Sequence, residues 1–348
     1  MLFRIANLNA YNLVRAGVPY YSSPAYKDDE LREKLDWTAG MLRAANADLI
    51  GFQEVFHEET LQEAVARVST DYDVRAPGAT RELNEAEGKA LGPKLGLASR
   101  LPIMELEVVV DFPQDARISV PVLHPTTQTE TDVEIGIRTF NRPVLKARVM
   151  LPNGAPCTVF VCHLKSKRPI YLADEDEADP MVKARGTIRS LLMRGAEAAA
   201  LRSLVVSVTR DPQPGERGEP CIVLGDLNDG ISAVTTVAVA GEPPFYKLRT
   251  AQKQPVWDVL LYNVFDIQAR RSLESFAFSH IWNGRHELLD HILVSQEFVR
   301  EFPNRIGEVL NARVLNDHVV DETLTQAPKT RIHSDHGVPV AEIKLREL

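Results

Sequence analysis

Short apolar runs that end in a polar, ligand-type side chain recur from one end of this chain to the other. Each run has the length and apolar character of a β-strand, and the polar residues follow where the strand would end. These polar ends are, in chain order, Asn9, Gln53-Glu54, His163, Gly225-Asp226-Leu227-Asn228, Asp290 and Ser334-Asp335-His336. Because strand ends at one edge of a sheet lie close together, the pattern favours a fold that collects these residues in one pocket.

Strands and amphipathic helices are interleaved, which predicts a mixed α/β chain. Helical spacing of apolar residues indicates helices at 28–46 and 182–209. The predicted strands are 2–9, 48–53, 95–99, 103–110, 144–150, 158–162, 222–224 and 338–343, together with a late hairpin between 277–281 and 288–294.

The stretches between these elements are more polar. Residues 76–94 are rich in Gly, Pro and Glu, which predicts a loop. Residues 111–141 are polar with partial alternation, which indicates a hairpin or an excursion from the sheet. No internal repeat, low-complexity tract or linker divides the 348 residues, so a single elaborated domain, 1–348, is predicted.

Charge and composition exclude several classes of protein. Forty basic and 48 acidic residues give a net charge of −8, which argues against a positively charged coat for wrapping nucleic acid. The three cysteines lie in apolar runs and read as buried free thiols of a reducing compartment. Apolar stretches all fall short of the ~20 residues of a membrane span. The first residues, MLFRIANLN, lack the features of a secretion signal, so a cytoplasmic location is favoured.

The predicted pocket has a distinctive donor set of carboxylates, imidazoles and amides. Taken singly, each residue has an ordinary structural explanation, such as a turn former or a hydrogen-bonded core histidine. Taken together, Glu54, Asp226 and Asp335 would place like charges side by side, which is costly unless a cation or a proton neutralises them. An oxygen-rich set with few thiols suits Mg²⁺ or Mn²⁺, as one or two ions, better than zinc.

These apolar runs with their polar ends, taken in chain order, resemble the sequence motifs of the endonuclease/exonuclease/phosphatase superfamily. This superfamily includes deoxyribonuclease I, abasic-site endonucleases, neutral sphingomyelinases and inositol polyphosphate 5-phosphatases. The stretches that carry the resemblance are RIANLN (4–9), DLIGFQEV (48–55), ASRLPI (98–103), VCHLKS (161–166), IVLGDLND (222–229), LDHILVS (289–295) and SDH (334–336). The resemblance therefore runs from the first strand to the last. It implies a four-layer α/β/β/α sandwich, in which two mixed β-sheets pack face to face between helices.

Three features depart from the family pattern. Asn7 stands where the family more often has Thr or Ser. The segments near 111–141 and 166–183 are longer than a minimal member needs, and are interpreted as insertions. His163 replaces the Tyr of abasic-site endonucleases, which favours deoxyribonuclease-like or sphingomyelinase-like members.

For the metal, the resemblance implies Glu54 as the direct ligand and Asn9 as its support. Mg²⁺ keeps several of its waters, so one carboxylate and one amide are adequate. Asp335 would assist at a second metal position or hold a histidine.

For catalysis, the resemblance implies that Asp226 orients or activates the attacking water and that Asn228 donates its amide to a phosphate oxygen. Asp290 and His336 would form a carboxylate–imidazole pair suited to proton transfer near neutral pH. His163 would bind a phosphate oxygen or donate a proton. Whether His336 or Asp226 is the general base is left open by the sequence.

A small basic cluster, Lys165, Lys167 and Arg168, follows His163 and is placed to meet a phosphate chain, although most such clusters are simply solvated. The sequence thus predicts a divalent-metal-dependent phosphoric ester hydrolase, a phosphodiesterase or nuclease acting on nucleic acid or a nucleotide. A phosphomonoesterase or lipid phosphodiesterase on the same scaffold, and an inactive binding protein, are the alternatives. The sequence points to no protein partner.

Overall fold

The computed structural model describes residues 1–78, 92–127, 130–212, 217–272, 277–282, 284–325 and 330–347. Its strands are β1 (Leu2–Leu13), β2 (Leu49–Val55), β3 (Asp73–Arg75), β4 (Lys94–Ser99), β5 (Ile103–Asp111), β6 (Ser119–Leu123), β7 (Glu130–Glu134), β8 (Thr139–Met150), β9 (Pro156–His163), β10 (Cys221–Asp226), β11 (Leu261–Asn263), β12 (His280–Trp282), β13 (Arg285–Glu287), β14 (Asp290–Ser295), β15 (Gly307–Leu315) and β16 (Val338–Leu345). Its α-helices are α1 (Asp28–Ala45), α2 (Glu58–Ala66), α3 (Pro180–Thr209), α4 (Val234–Ala240), α5 (Thr250–Trp257) and α6 (Val264–Ala269).

Two six-stranded mixed sheets form the centre of the molecule. The first has the order β15-β16-β1-β2-β4-β3, and the second has the order β11-β14-β10-β9-β8-β5. Each sheet contains one parallel pair, β1 with β2 and β9 with β10, among antiparallel neighbours. The predicted sandwich of two packed mixed sheets flanked by helices is confirmed.

Three apolar clusters hold these layers together. The cluster between the sheets joins Phe3 and Ile5 of β1 to residues of β9, β10 and β14. A second cluster packs Ala6 and Leu8 of β1, on its other face, against α1 and α2. A third packs β9 and β10 against α3 and α4. Because side chains alternate along a strand, odd-numbered residues of β1 face the other sheet and even-numbered residues face the helices.

The same alternation decides where the polar strand ends point. Asn9 continues the face of Phe3 and Ile5, so it points towards the second sheet. In the second sheet, the faces of β9, β10 and β14 that meet the first sheet continue into three polar residues, which are His163, Asp226 and Asp290. The hydrophobic pattern that builds the core therefore also aims these side chains at one another across the two sheets.

The predicted late hairpin is wrong in its pairing. β12 pairs with β13, not with residues 288–294, and the two form a separate small sheet. β14 instead pairs with β10 and β11 inside the second large sheet, because Ile292 and Val294 are apolar enough to fill the core between the sheets.

The segment 111–141 does contain a hairpin, in which β6 pairs with β7 and both strands are exposed. Of the predicted loop at 76–94, residues 79–91 lie outside the described residues. Within the described ranges, every helix is too short or too polar to cross a lipid bilayer.

Candidate active site

Asn9 links the two sheets at the edge where the polar strand ends meet. Its Nδ2 lies 3.4 Å from Oε1 of Glu54 and 3.2 Å from Oδ2 of Asp226, and it donates to both. Glu54 lies just beyond Gln53, which is paired in register with Asn9 across the parallel strands β1 and β2. One amide thus bridges a carboxylate of the first sheet and a carboxylate of the second.

The backbone around this bridge is held in an unusual conformation. Glu54 has φ of 59°, and Tyr11 and Asn12 have φ of 48° and 61°. Non-glycine residues rarely adopt this left-handed region, and such strain is concentrated at functional sites. Here the side chains stabilise it, because Oδ1 of Asn9 accepts from the amide of Tyr11 and Oε2 of Glu54 accepts from the amide of Asn12.

His336 and Asp290 form a buried pair in the same pocket. Nδ1 of His336 donates to Oδ2 of Asp290 over 2.7 Å, and Oδ2 of Asp226 lies 4.0 Å from the same nitrogen. Burial favours the neutral imidazole, but the carboxylates of Asp290 and Asp226 outweigh it and raise the pKa of His336 well above its usual value. The neighbouring carboxylates therefore favour the charged form of this imidazole.

Asp226 is surrounded by donors. It is paired in register with His163 on β9 and with Asp290 on β14, and its Oδ2 lies 3.3 Å from Nε2 of His163. Burial, followed by the nearby charge of Asp290, raises the pKa of Asp226 to about 7. Burial, with the charges of Arg142 and His336, lowers the pKa of His163, which favours its neutral ring.

Asn228 lies at the same edge and has φ of 55°. Its backbone amide donates to Oδ1 of Asp226 over 2.8 Å, and its side-chain Nδ2 donates to the carbonyl of Leu164 over 3.0 Å. An amide nitrogen has two hydrogens, so the second can still serve a substrate oxygen.

The predicted basic cluster is only partly directed at the pocket. Nζ of Lys165 lies 3.1 Å from Oγ of Ser166, and burial lowers its pKa. Lys167 is engaged elsewhere, because its Nζ lies 2.6 Å from Oε2 of Glu287 and 3.5 Å from Oδ1 of Asp229. The main-chain carbonyl of Arg168 accepts hydrogen bonds from Lys165 and from Ser190, which anchors this turn to α3.

Arg142, near the start of β8, was not among the predicted site residues. Its charge acts on His163 and Lys165, and its Nη1 donates to the carbonyl of Leu164 over 3.5 Å. Its buried Nε has no hydrogen-bond partner among the described residues. A single arginine at the start of a strand carries no signal of its own, and only the pairing of β8 with β9 brings it to His163.

Lys34, on α1, was also missed because it occupies a position on the apolar face of a helix. It is fully buried, and its Nζ donates to the carbonyls of Arg331 and Ile332 over 3.0 and 3.4 Å. Burial lowers its pKa to about 7, against the opposing charges of Glu54 and Asp335. Lys34 thus fastens the segment that leads into Asp335 and His336.

Among the residues that the structure describes, two groups of side chains are close enough to share a metal ion. One consists of Asp226, Asp290 and His336, and the other of His280, Asp335 and His336, with the ligand atoms in each group within 4.8 Å of one another. The predicted ligands Asn9 and Glu54 adjoin the first group through Asp226. Oδ1 of Asp290 is buried without a hydrogen-bond partner in the described structure, as expected where a cation would complete the site.

Comparison with solved structures shows the same fold over nearly the whole chain. A humanized D. rerio TDP2 with 14 mutations is 13% identical, with 99% of each chain covered and a TM-score of 0.53. The Bacteroides thetaiotaomicron mannosyl-6-phosphatase Bt3783 is 17% identical, with 98% of this chain and 99% of that chain covered and a TM-score of 0.51. The human nocturnin catalytic domain is 15% identical, with 99% and 95% covered and a TM-score of 0.52.

Family membership follows from the sequence itself. The Endonuclease/Exonuclease/phosphatase family model matches residues 31–311, and the chain belongs to this family. Together with the fold, this match defines a phosphoesterase. No curated protein matches the chain in sequence.

Proposed function

We propose that the protein is a phosphodiesterase of the nuclease type that depends on Mg²⁺ or Mn²⁺. The observation that carries this proposal is the continuous polar network at the shared sheet edge. It runs from Glu54 through Asn9 to Asp226, and from there to His163 on one side and to Asp290 and His336 on the other. A phosphoester needs charge neutralisation, a positioned water and a proton for the leaving oxygen, and this network offers a group for each.

Glu54 and Asn9 would hold the ion, with Asp335 at a second position. The fit is supported by the accumulation of buried carboxylates, which are costly without a cation. When bound, Mg²⁺ supplies neutralisation of the negative charge on the phosphoryl oxygens.

The protein side chains would position water and substrate around that phosphate. Asp226 would accept the proton of the attacking water, since it already accepts hydrogen bonds from Asn9 and from the backbone amide of Asn228 and is oriented by both. His336, held by Asp290, would present its protonated Nε2 to the phosphate, where it would stabilise the charge on a phosphoryl oxygen and supply the proton that the leaving oxygen takes up. The second amide hydrogen of Asn228 would stabilise the same charge.

Arg142 would add a further contact to the phosphate. The charge of its guanidinium acts on His163 and Lys165, and a guanidinium binds phosphate oxygens in a fixed fork geometry. Together with Lys165 and Arg168 it provides local positive charge in a chain whose net charge is −8. Local positive charge of this kind at the pocket favours binding of a nucleotide or a short nucleic-acid segment over binding of a long duplex that wraps around the protein.

A substrate panel tests the proposal. With Mg²⁺ present, we expect hydrolysis of bis-p-nitrophenyl phosphate and of a single-stranded oligonucleotide, loss of both with EDTA, and recovery with Mg²⁺ or Mn²⁺. Glu54→Gln should raise the metal concentration needed for half-maximal rate at least about tenfold. Glu59→Gln, at an exposed residue paired with Arg15, is the matched control and should behave as the wild type.

A phosphomonoesterase is the second candidate, and the similarity to a mannosyl-6-phosphatase favours it. A preference for p-nitrophenyl phosphate or sugar phosphates over diesters would replace the nuclease assignment with this one. Preferential hydrolysis of sphingomyelin vesicles would indicate a lipid phosphodiesterase. Absence of turnover on every substrate with both metals would leave a binding protein and refute the hydrolase proposal.

A further inference from the structure

A second group of side chains that could hold a metal ion shares His336 with the group of Asp226 and Asp290. His280, at the start of β12, packs against the ring of His336 with 4.7 Å between ring centroids and an interplanar angle of 34°. Asp335 completes the group, with Oδ1 at 4.0 Å from Nε2 of His336. One ligand atom from each of the three residues lies within 4.8 Å of the other two.

Both imidazoles are already oriented as metal ligands. Nδ1 of His280 lies 3.0 Å from the main-chain carbonyl of Asp335, which can only accept, so Nδ1 carries the hydrogen and Nε2 carries the lone pair. Nδ1 of His336 donates to Asp290, so its Nε2 faces the group, and an ion that binds there displaces the proton that Nε2 carries in the charged ring. A second hydrogen bond that fixes the far ring nitrogen is the usual support of a metal-binding histidine.

The group is also held together by the backbone. The amide of Gly337 donates to the carbonyl of Ser279 over 2.7 Å, which ties the residue before His280 to the residue after His336. Oγ of Ser334 donates to the carbonyl of Asn9 over 2.7 Å and accepts from the amide of His336 over 3.0 Å. The three ligands are therefore positioned before any ion arrives, which lowers the entropic cost of binding.

We propose that His280, Asp335 and His336 form a site for a transition-metal ion of the Zn²⁺ class, which shares Asp335 and His336 with the proposed catalytic machinery, and that an ion bound there inhibits the enzyme. Two imidazole nitrogens and one carboxylate oxygen are the donor set of zinc and related ions, whereas Mg²⁺ prefers oxygen ligands. Inhibition follows because the ion occupies Nε2 of His336, the atom that would otherwise face the phosphate. The binding itself does not depend on the proposed function, and the inhibition does.

Binding is tested in visible absorption titrations of the protein with Co²⁺ as the probe. Excess Mg²⁺ is present throughout. We expect the wild type to develop the d–d bands of a histidine-ligated ion, with saturation at one equivalent. His280→Gln should weaken this binding about 100-fold, as expected for loss of a ligand. Asp335→Asn keeps the main-chain carbonyl that orients His280, and it should also weaken Co²⁺ binding because the carboxylate ligand is lost. His124→Gln, on the exposed hairpin, is the control and should bind as the wild type.

Three outcomes would overturn the metal site: no Co²⁺ bands in the wild type, equal Co²⁺ affinity in the wild type and His280→Gln, or equal affinity in Asp335→Asn. Thermal melting checks that each variant is folded.

Zn²⁺ inhibition of the diesterase should then require a concentration about 100-fold higher in His280→Gln than in the wild type, and equal inhibition would refute the inhibitory role. If no substrate is hydrolysed at all, the proposed function fails while the Co²⁺ titration still decides the site.

Discussion

Nδ1 of His336 donates a 2.7 Å hydrogen bond to Oδ2 of Asp290, across 46 residues of sequence. Asp290 is completely buried at the start of β14, and its own backbone amide donates to Oγ of Ser279 over 3.0 Å. A carboxylate fixed in this way holds one orientation of the imidazole and supports its positive charge. The relationship makes Asp290 the residue through which the position of His336 can be tested.

Asp290→Asn should lower kcat about 10²- to 10⁴-fold, because an amide does not stabilise the charged imidazole as a carboxylate does. KM should change much less, since the side chain does not reach the substrate. Steady-state kinetics on bis-p-nitrophenyl phosphate would measure both. Asp132→Asn, on the exposed strand β7, is the control. An Asp290→Asn protein with the kcat of the wild type would contradict the proposed charge on His336.

Arg142→Gln should raise KM about tenfold or more, the effect expected from losing a hydrogen bond to a charged group, with a smaller change in kcat. Arg148→Gln is the matched control because it lies on the same strand, β8, but at the opposite end, where Arg148 pairs with Glu219 at 2.7 Å. The same kinetic assay applies. If the two variants have the same KM, Arg142 does not bind the substrate.

Gly225→Ala should destabilise the fold, because a Cβ at this position would lie 2.4 Å from Sγ and 2.5 Å from the carbonyl oxygen of Cys162 on the adjacent strand. We expect the free energy of unfolding to fall by about 3 kcal/mol or more, the upper range for overpacking. Gly230→Ala is the control, since a Cβ there meets no atom within 4 Å. Chemical denaturation of both variants would measure the difference, and an unchanged Gly225→Ala would show that β9 and β10 can separate at little cost.

The ion pair between Glu175 and Arg189 should make the free energy of unfolding depend on pH in acidic solution. The hydrogen bond from Arg189, together with that from the amide of Leu172, lowers the pKa of Glu175 to about 2. A lowered carboxyl pKa contributes stability above the usual value of 4.5, and this contribution is lost as the pH falls towards 2. Glu175→Gln should therefore melt slightly below the wild type at neutral pH, with a difference that shrinks below pH 4.5. A difference that stays constant with pH would rule out the ion pair as its source.

Much of the fold could be predicted from local pattern. The strands of Phe3 and Ile222 and the helix of Leu35 follow from apolar spacing, which reflects the two faces of a strand and the one face of a buried helix. The prediction of the late hairpin was wrong because the apolar pattern of 290–295 indicates a strand but does not specify which strand it pairs with. Register and partner are properties of the whole sheet, and β14 pairs where its apolar face is covered best.

The residues of the candidate site likewise fall into those that the sequence predicts and those that it does not. The sequence by itself determined which polar residues end the strands and, through alternation, that Asn9, Asp226 and Asp290 share the faces between the sheets. Only the tertiary structure decided that Arg142 and His280 join them and that Lys167 instead turns to Glu287. The physical reason is that alternation is set by neighbouring residues along the chain, whereas an ion pair or a ring contact depends on distances between segments that meet only after the sheets have packed.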